Sequence, residues 1–126
     1  MVFPQNTVRL LREFENSSNP NHLLGFHAEL RVIQHYLQKG FYLKSHREKY
    51  YHTEVDIVME SSRKIVFIEV KYSSHSAYLV HRISPNQRDR LMNVYLRYMA
   101  ETPKDLEFHY VVVGQSGDLE IFELLA

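Results

Sequence analysis

A chain of 126 residues with 44% apolar content and no Gly/Pro-rich or low-complexity stretch suits one globular domain around one core, and excludes a disordered chain or two domains. Without cysteine there are no disulfides, thiolate zinc centres or cysteine nucleophiles; with no apolar run near the roughly 20 residues that span a bilayer, and no apolar signal core in Met1–Leu11, a cytoplasmic protein is expected. Zero net charge argues against a strongly basic nucleic-acid protein, yet residues 1–100 hold fourteen of the fifteen Lys/Arg and nine of the fifteen Asp/Glu, a balance that permits a basic surface facing phosphate.

In chain order, residues 1–20 read as an N-terminal extension in which Thr7 to Glu15 suits a short helix, and 21–126 as the domain proper. Asn19-Pro20 is a helix start, with proline at the first helical position, and Gly40 a natural stop after Lys39. Phe26, Leu30, Ile33 and Leu37 form the apolar stripe of that helix. Glu29 falls about 60° from the stripe's centre at 3.6 residues per turn, so a flank glutamate whose head reaches water is the plainer expectation. Phe41 to His46 suits a first strand, followed by a polar segment through Lys49. Glu54–Met59 and Ile65–Lys71 are strand-like apolar runs joined by a Ser-Ser-Arg-Lys turn. A Ser-, His- and Tyr-rich loop from Tyr72 to Ile83 leads to Ser84-Pro85-Asn86-Gln87, which opens a second helix reaching about Ala100. Its core stripe is Leu91, Val94 and Tyr98; Gln87 lies on the same stripe, although a Ser84-x-x-Gln87 capping box alone would account for it. Glu107–Val113, a Gly114–Gly117 turn and Leu119–Leu124 complete the order helix, three strands, helix, two strands. The order predicts an α/β sandwich around a mixed sheet.

The chemistry concentrates in the two central runs. Interior strands seldom carry carboxylates, because an isolated buried charge is costly unless something compensates it. Strand alternation places Glu69 and Lys71 on one face with Phe67, and a hairpin would set Asp56 beside Glu69. Hard oxygen ligands of this kind suit Mg²⁺ or Mn²⁺. The plainer alternative is an exposed Glu/Lys pair at a strand end. The eight histidines, among them His46, His75, His81 and His109, form no helical metal-binding pair, so no zinc site is expected. Tyr50, Tyr51, Tyr72 and Tyr78 with Lys44, Arg47, Lys49 and Arg82 would suit either a basic aromatic nucleic-acid surface or ordinary sheet and loop packing. Arg88, Arg90 and Arg97 suit a solvated helix face, with Arg88 also a candidate nucleic-acid contact.

Gly25-x-x-Ala28-Glu29, Gly40-Phe41, Glu54-Val55-Asp56, Glu69-Val70-Lys71 and the Ser84-Pro85 helix opening occur in the order seen in the PD-(D/E)XK nuclease superfamily. Within it the chain resembles, over residues 21–125, the small YraN-like bacterial proteins, which are similar to Holliday-junction resolvases. The resemblance implies a restriction-endonuclease-like three-layer fold, and Mg²⁺- or Mn²⁺-dependent hydrolysis of phosphodiesters by an endonuclease, with branched or damaged DNA as candidate substrates. It implies Asp56 and Glu69 as metal ligands assisted by the Val70 backbone carbonyl, and Lys71 as the residue that orients the attacking water and offsets developing charge. Glu29 would hold a water on the ion or a second ion, and Gln87 would be auxiliary. Thr53 stands where relatives often have glycine, and Gln87 where they often have lysine. The alternative on the same fold is a catalytically silent nucleic-acid-binding or protein-interaction module. A homodimer is a functional expectation, since two-fold symmetry suits cutting two strands.

Overall fold

The computed structural model describes residues 20–72 and 84–124, with side chains from Gly25 onward. The expected Thr7–Glu15 helix, and the loop positions His75, Tyr78, His81 and Arg82, lie outside the described residues. The elements run α1 (Pro20–Gln38), β1 (Tyr42–Tyr50), β2 (Thr53–Glu60), β3 (Lys64–Tyr72), α2 (Pro85–Met99), β4 (Asp105–Val113) and β5 (Leu119–Leu124). The sheet has five strands in the order β1-β2-β3-β4-β5. Neighbours are antiparallel except β3 and β4, which are parallel and joined through α2. The α/β three-layer architecture read from the element order is therefore what the chain adopts.

Alternation along the central strands divides the core in two. Val66 and Ile68 of β3, Ile57 and Met59 of β2, and Val111 and Val113 of β4 pack under Phe26, Val32, Ile33 and Tyr36 of α1. Ile65 and Phe67, with Val58, Leu106 and Phe108, pack on the opposite face under Leu91 and Val94 of α2. Burying such side chains is worth about 1.5–3 kcal/mol each, so both helices are held to the sheet by their apolar stripes. Glu69, two residues on from Phe67, thus belongs to the α2 side of the sheet.

The local signals at the ends of α1 and α2 operate as expected. Gly40 takes φ 92°, with Gly40 N–H donating to the Leu37 carbonyl and Phe41 N–H to that of Tyr36, a Schellman closure that suits glycine. Ser84 caps α2 by accepting a hydrogen bond from the Gln87 backbone N–H.

β1 departs from expectation. It continues past His46 to Tyr50, pairing Glu48 with Val55 and Tyr50 with Thr53. An edge strand needs no apolar outer face, so its Lys, Arg and Glu residues do not end it. The register shifts between Leu43 and Ser45, and Arg47 adopts φ 52°. The hairpin to β2 turns on Tyr51 and His52, both in the left-handed region (φ 52° and 69°), as a tight two-residue turn between right-twisted strands requires. Thr53 therefore lies beyond the turn and opens β2. Glycine is the residue best suited to such a φ. Replacing exposed His52 by glycine is expected to stabilise the protein by about 0.5–1 kcal/mol, read as a higher urea midpoint with an unchanged slope.

Candidate active site

The β2–β3 ladder pairs Glu60 with Ile65, Met59 with Val66, Val58 with Phe67 and Ile57 with Ile68. The next opposed pair is Asp56 and Glu69, and there the backbone ladder gives way to side chains. Val70 N–H donates to Asp56 Oδ2 at 2.9 Å, and Asp56 N–H donates to Glu69 Oε1 at 3.4 Å. Each strand thus offers its backbone N–H to the carboxylate of the other. The second oxygen of Glu69 accepts from Gln87 Nε2 at 3.1 Å. Gln87 therefore does more than a capping box requires: its backbone N–H meets Ser84, while its side chain turns to the sheet and fixes Glu69.

Burial and mutual repulsion set the electrostatics. Glu69 is only 7% exposed. Burial, then the charge of Asp56, pushes its carboxyl up to about 8. Burial also raises Asp56; the Val70 N–H opposes that rise, the Glu29 charge adds to it, and Arg47 opposes it. Two carboxylates sharing a desolvated site hold a proton near neutral pH because both cannot easily be ionised together. A divalent cation favours the same two oxygens as carboxylates, so the donor set fits Mg²⁺ or Mn²⁺.

Glu29 corrects the sequence expectation of a flank glutamate in water. It is 5% exposed, and accepts hydrogen bonds from His46 Nε2 at 2.7 Å, Arg47 Nε at 3.2 Å and Arg47 Nη2 at 3.3 Å. The cause lies in β1. The left-handed turn at Arg47 breaks strand alternation, so two consecutive residues face α1 and close over the glutamate. Lys71 stands at the exposed end of β3, past Glu69 on the same face. Asp56, Glu69, Val70 and Gln87 are thus directly connected, Glu29 joins them through its charge on Asp56, and Lys71 sits at the rim.

Of the other candidates, Lys44 pairs with Glu60 at 3.5 Å, while Lys49 and Arg88 are exposed. Tyr50 packs edge-on against Phe67 and Tyr98 and shares a hydrogen bond with Ser45. Tyr51 lies under the Arg97 guanidinium and donates to Glu101, and half-buried Tyr72 packs against the α1 core. These tyrosines are occupied by packing. His46 was missed as a site residue, because nothing in a polar edge strand distinguishes it until α1 is laid over β1. Glu107, His109 and Glu123 also bring donor atoms within 4.8 Å of one another, through strand spacing and cross-strand register that a search for helical pairs does not detect. There Lys64 Nζ lies 2.6 Å from Glu107, and His109 bonds both Glu107 and Tyr36, so these groups are engaged with one another.

A mixed five-stranded sheet between two helices, parted at one buried and one half-buried carboxylate, defines an α/β protein with an acidic centre where two of its strands separate. The model of the uncharacterised protein family UPF0102 matches residues 28–113. The chain is 32% identical over 107 residues to a UPF0102 protein of Ruegeria pomeroyi, covering 82% of this chain and 87% of that one. It is 31% identical over 103 residues to a UPF0102 protein of Roseobacter denitrificans (79% and 80% covered), and 28% identical over 102 residues to one of Coxiella burnetii (78% and 85%). The chain belongs to UPF0102, the YraN family whose likeness its motifs carry.

The raised carboxyl has a consequence for stability. The folded, metal-free protein holds a proton on Glu69 between its ordinary 4.5 and about 8, a range in which the unfolded chain has released it. Stability therefore falls as pH rises through that window. With EDTA present, the parent is expected to lose more Tm between pH 5 and 8.5 than Glu69→Gln, and the variant to melt about 5 °C or more above it at pH 8.5. Thermal unfolding followed by circular dichroism at both pH values checks this.

Proposed function

We propose that this chain is a metal-dependent endonuclease that hydrolyses phosphodiester bonds in DNA, with branched or damaged DNA as its first candidate substrates. The observation that carries the reading is the reciprocal bracing of Asp56 and Glu69 across the parted ladder. A fold that needed only stability would do better with an apolar side chain at buried Glu69 and no second carboxylate at half-buried Asp56. Asp56 and Glu69 would hold Mg²⁺ or Mn²⁺, and the Val70 carbonyl would assist them. The ion, when bound, polarises the phosphoryl group and makes water a better nucleophile.

The protein's own residues supply the remainder. Gln87 fixes one oxygen of Glu69 and so sets the orientation of that carboxylate. Lys71, exposed two residues past Glu69 on β3, would orient or help deprotonate the attacking water and offset negative charge as it develops on the phosphate. Glu29, held by His46 and Arg47, maintains a third carboxylate beside Asp56. Lys49 and Arg88 offer exposed cations to the nucleic-acid backbone. Among the described residues no helix is long and apolar enough to cross a membrane.

Purified protein with Mn²⁺ or Mg²⁺ is expected to cleave at least one form among four-way junctions, flaps, single strands and duplexes. Asp56→Ala and Lys71→Ala should each reduce the rate by about 100-fold or more, while His52→Gly leaves it unchanged. A parent that cleaves no DNA or RNA form with either ion overturns the reading. Salt-dependent DNA binding that survives Asp56→Ala, without hydrolysis by the parent, would instead make the chain a nucleic-acid-binding module.

A further inference from the structure

Arg47 occupies an unusual position. It holds an arginine backbone at φ 52° within a strand, a conformation that costs energy and persists where the surroundings demand it. The β1–β2 register pairs His46 with Ile57 and Glu48 with Val55, which brackets Arg47 opposite Asp56. Its guanidinium meets Glu29 through two nitrogens, at 3.2 and 3.3 Å, and lies 4.9 Å over the Phe26 ring. Its charge acts on Asp56 in opposition to that of Glu29. The side chain is nevertheless 34% exposed, so one part of it faces the acidic centre and another faces solvent.

A strand-bound fork that grips Glu29 with two nitrogens beside a second carboxylate's strand position is more than a surface phosphate contact. Packing alone would not require a left-handed arginine, and the Phe26 ring would accept a neutral side chain. We infer that Arg47 is the site's internal cation: it balances Glu29 and Asp56 while no metal ion is bound, and pairs with substrate phosphate once the ion balances them instead. The assignment rests on the nuclease reading and extends it to a substrate-contacting residue on β1. Like-charge repulsion gives the reason. Adding a divalent cation to a centre that already holds Arg47 brings like charges together, and the cost falls as the guanidinium turns to a phosphate, for which its fork is well shaped. Arg47 thereby links metal binding to substrate binding: each is favourable to the extent that the other is present.

The inference separates from a structural role in the sign of one measurement. If Arg47 only held Glu29 in place, neutralising it would weaken metal binding. As a resident cation, its removal strengthens it. Mn²⁺ titration by calorimetry of the full chain is expected to show Arg47→Gln binding about ten-fold more tightly than the parent, and Arg47→Lys, which keeps the charge, within about two-fold of it. Equal or weaker binding by Arg47→Gln overturns the assignment. Should the glutamine variant not fold, the lysine variant decides alone: unchanged affinity supports a role in charge, and a ten-fold loss shows a bidentate anchor. A second readout uses a fluorescein-labelled single-stranded oligonucleotide and a four-way junction. Arg47→Gln should weaken binding by about ten-fold with Ca²⁺ present and by less than two-fold in EDTA. Equal weakening in both makes Arg47 an ordinary backbone contact and overturns the inference. Absence of Mn²⁺ binding by the parent both alone and with the oligonucleotide bound overturns the nuclease reading and this assignment together, whereas binding by the parent without the predicted shifts overturns only the assignment.

Discussion

The structure turns on one local exchange: where β2 and β3 part, each strand gives up a backbone partner and takes the other's carboxylate in its place. Buried backbone N–H groups must be satisfied, and sheet strands ordinarily satisfy them through the ladder. Here Asp56 accepts from Val70 and Glu69 from Asp56, so the opening of the sheet leaves neither donor orphaned. The same bonds fix the two side chains relative to each other. A pair of carboxylates that would otherwise repel is thereby held together, and burial, with the charge of Asp56 adding to it, raises the Glu69 carboxyl to about 8.

Both helices serve this exchange from opposite faces. α2 is anchored by Leu91 and Val94 over Phe67 and Phe108, and its first turn delivers Gln87 to the outer oxygen of Glu69. α1 is anchored by Phe26, Val32 and Ile33 over Ile57 and Ile68, and delivers Glu29 to the neighbourhood of Asp56. The edge strand completes the enclosure by presenting His46 and Arg47 to that glutamate. The apolar core thus supplies rigidity, and a few polar contacts translate it into the placement of charge. Such a division suits a site whose groups must be held in place before a ligand arrives.

Much of this was legible in the sequence because it depends on short-range pattern. Alternation along Ile65–Lys71 placed Glu69 on the Phe67 face, and the hairpin placed Asp56 beside it. Gly40 and Ser84-Pro85 marked helix ends whose bonds the structure shows. The features that escaped depend on tertiary packing. The helical angle of Glu29 suggested a residue reaching water, but whether a flank position is wet depends on the neighbouring strand, and β1 covers it. That coverage needs a left-handed arginine, for which no local rule selects Arg47. The capping box gave Gln87 a sufficient local role, and only the meeting of α2 with β3 reveals its second one. Tyr50 and Tyr51 read equally as stacking platforms or packing, and their contacts with Phe67, Tyr98 and Arg97 fall on the side of packing.

Asp56 and Glu69 form one coupled acid centre that a divalent ion can take over. Carbon-13 NMR titration of the side-chain carboxyl carbons of the two residues, with and without Mg²⁺, tests this most directly. One carboxyl is expected to titrate near 8 in the metal-free protein, and both to be fully ionised at that pH when Mg²⁺ is present. Two independent titrations in the ordinary carboxylate range, indifferent to Mg²⁺, would contradict it.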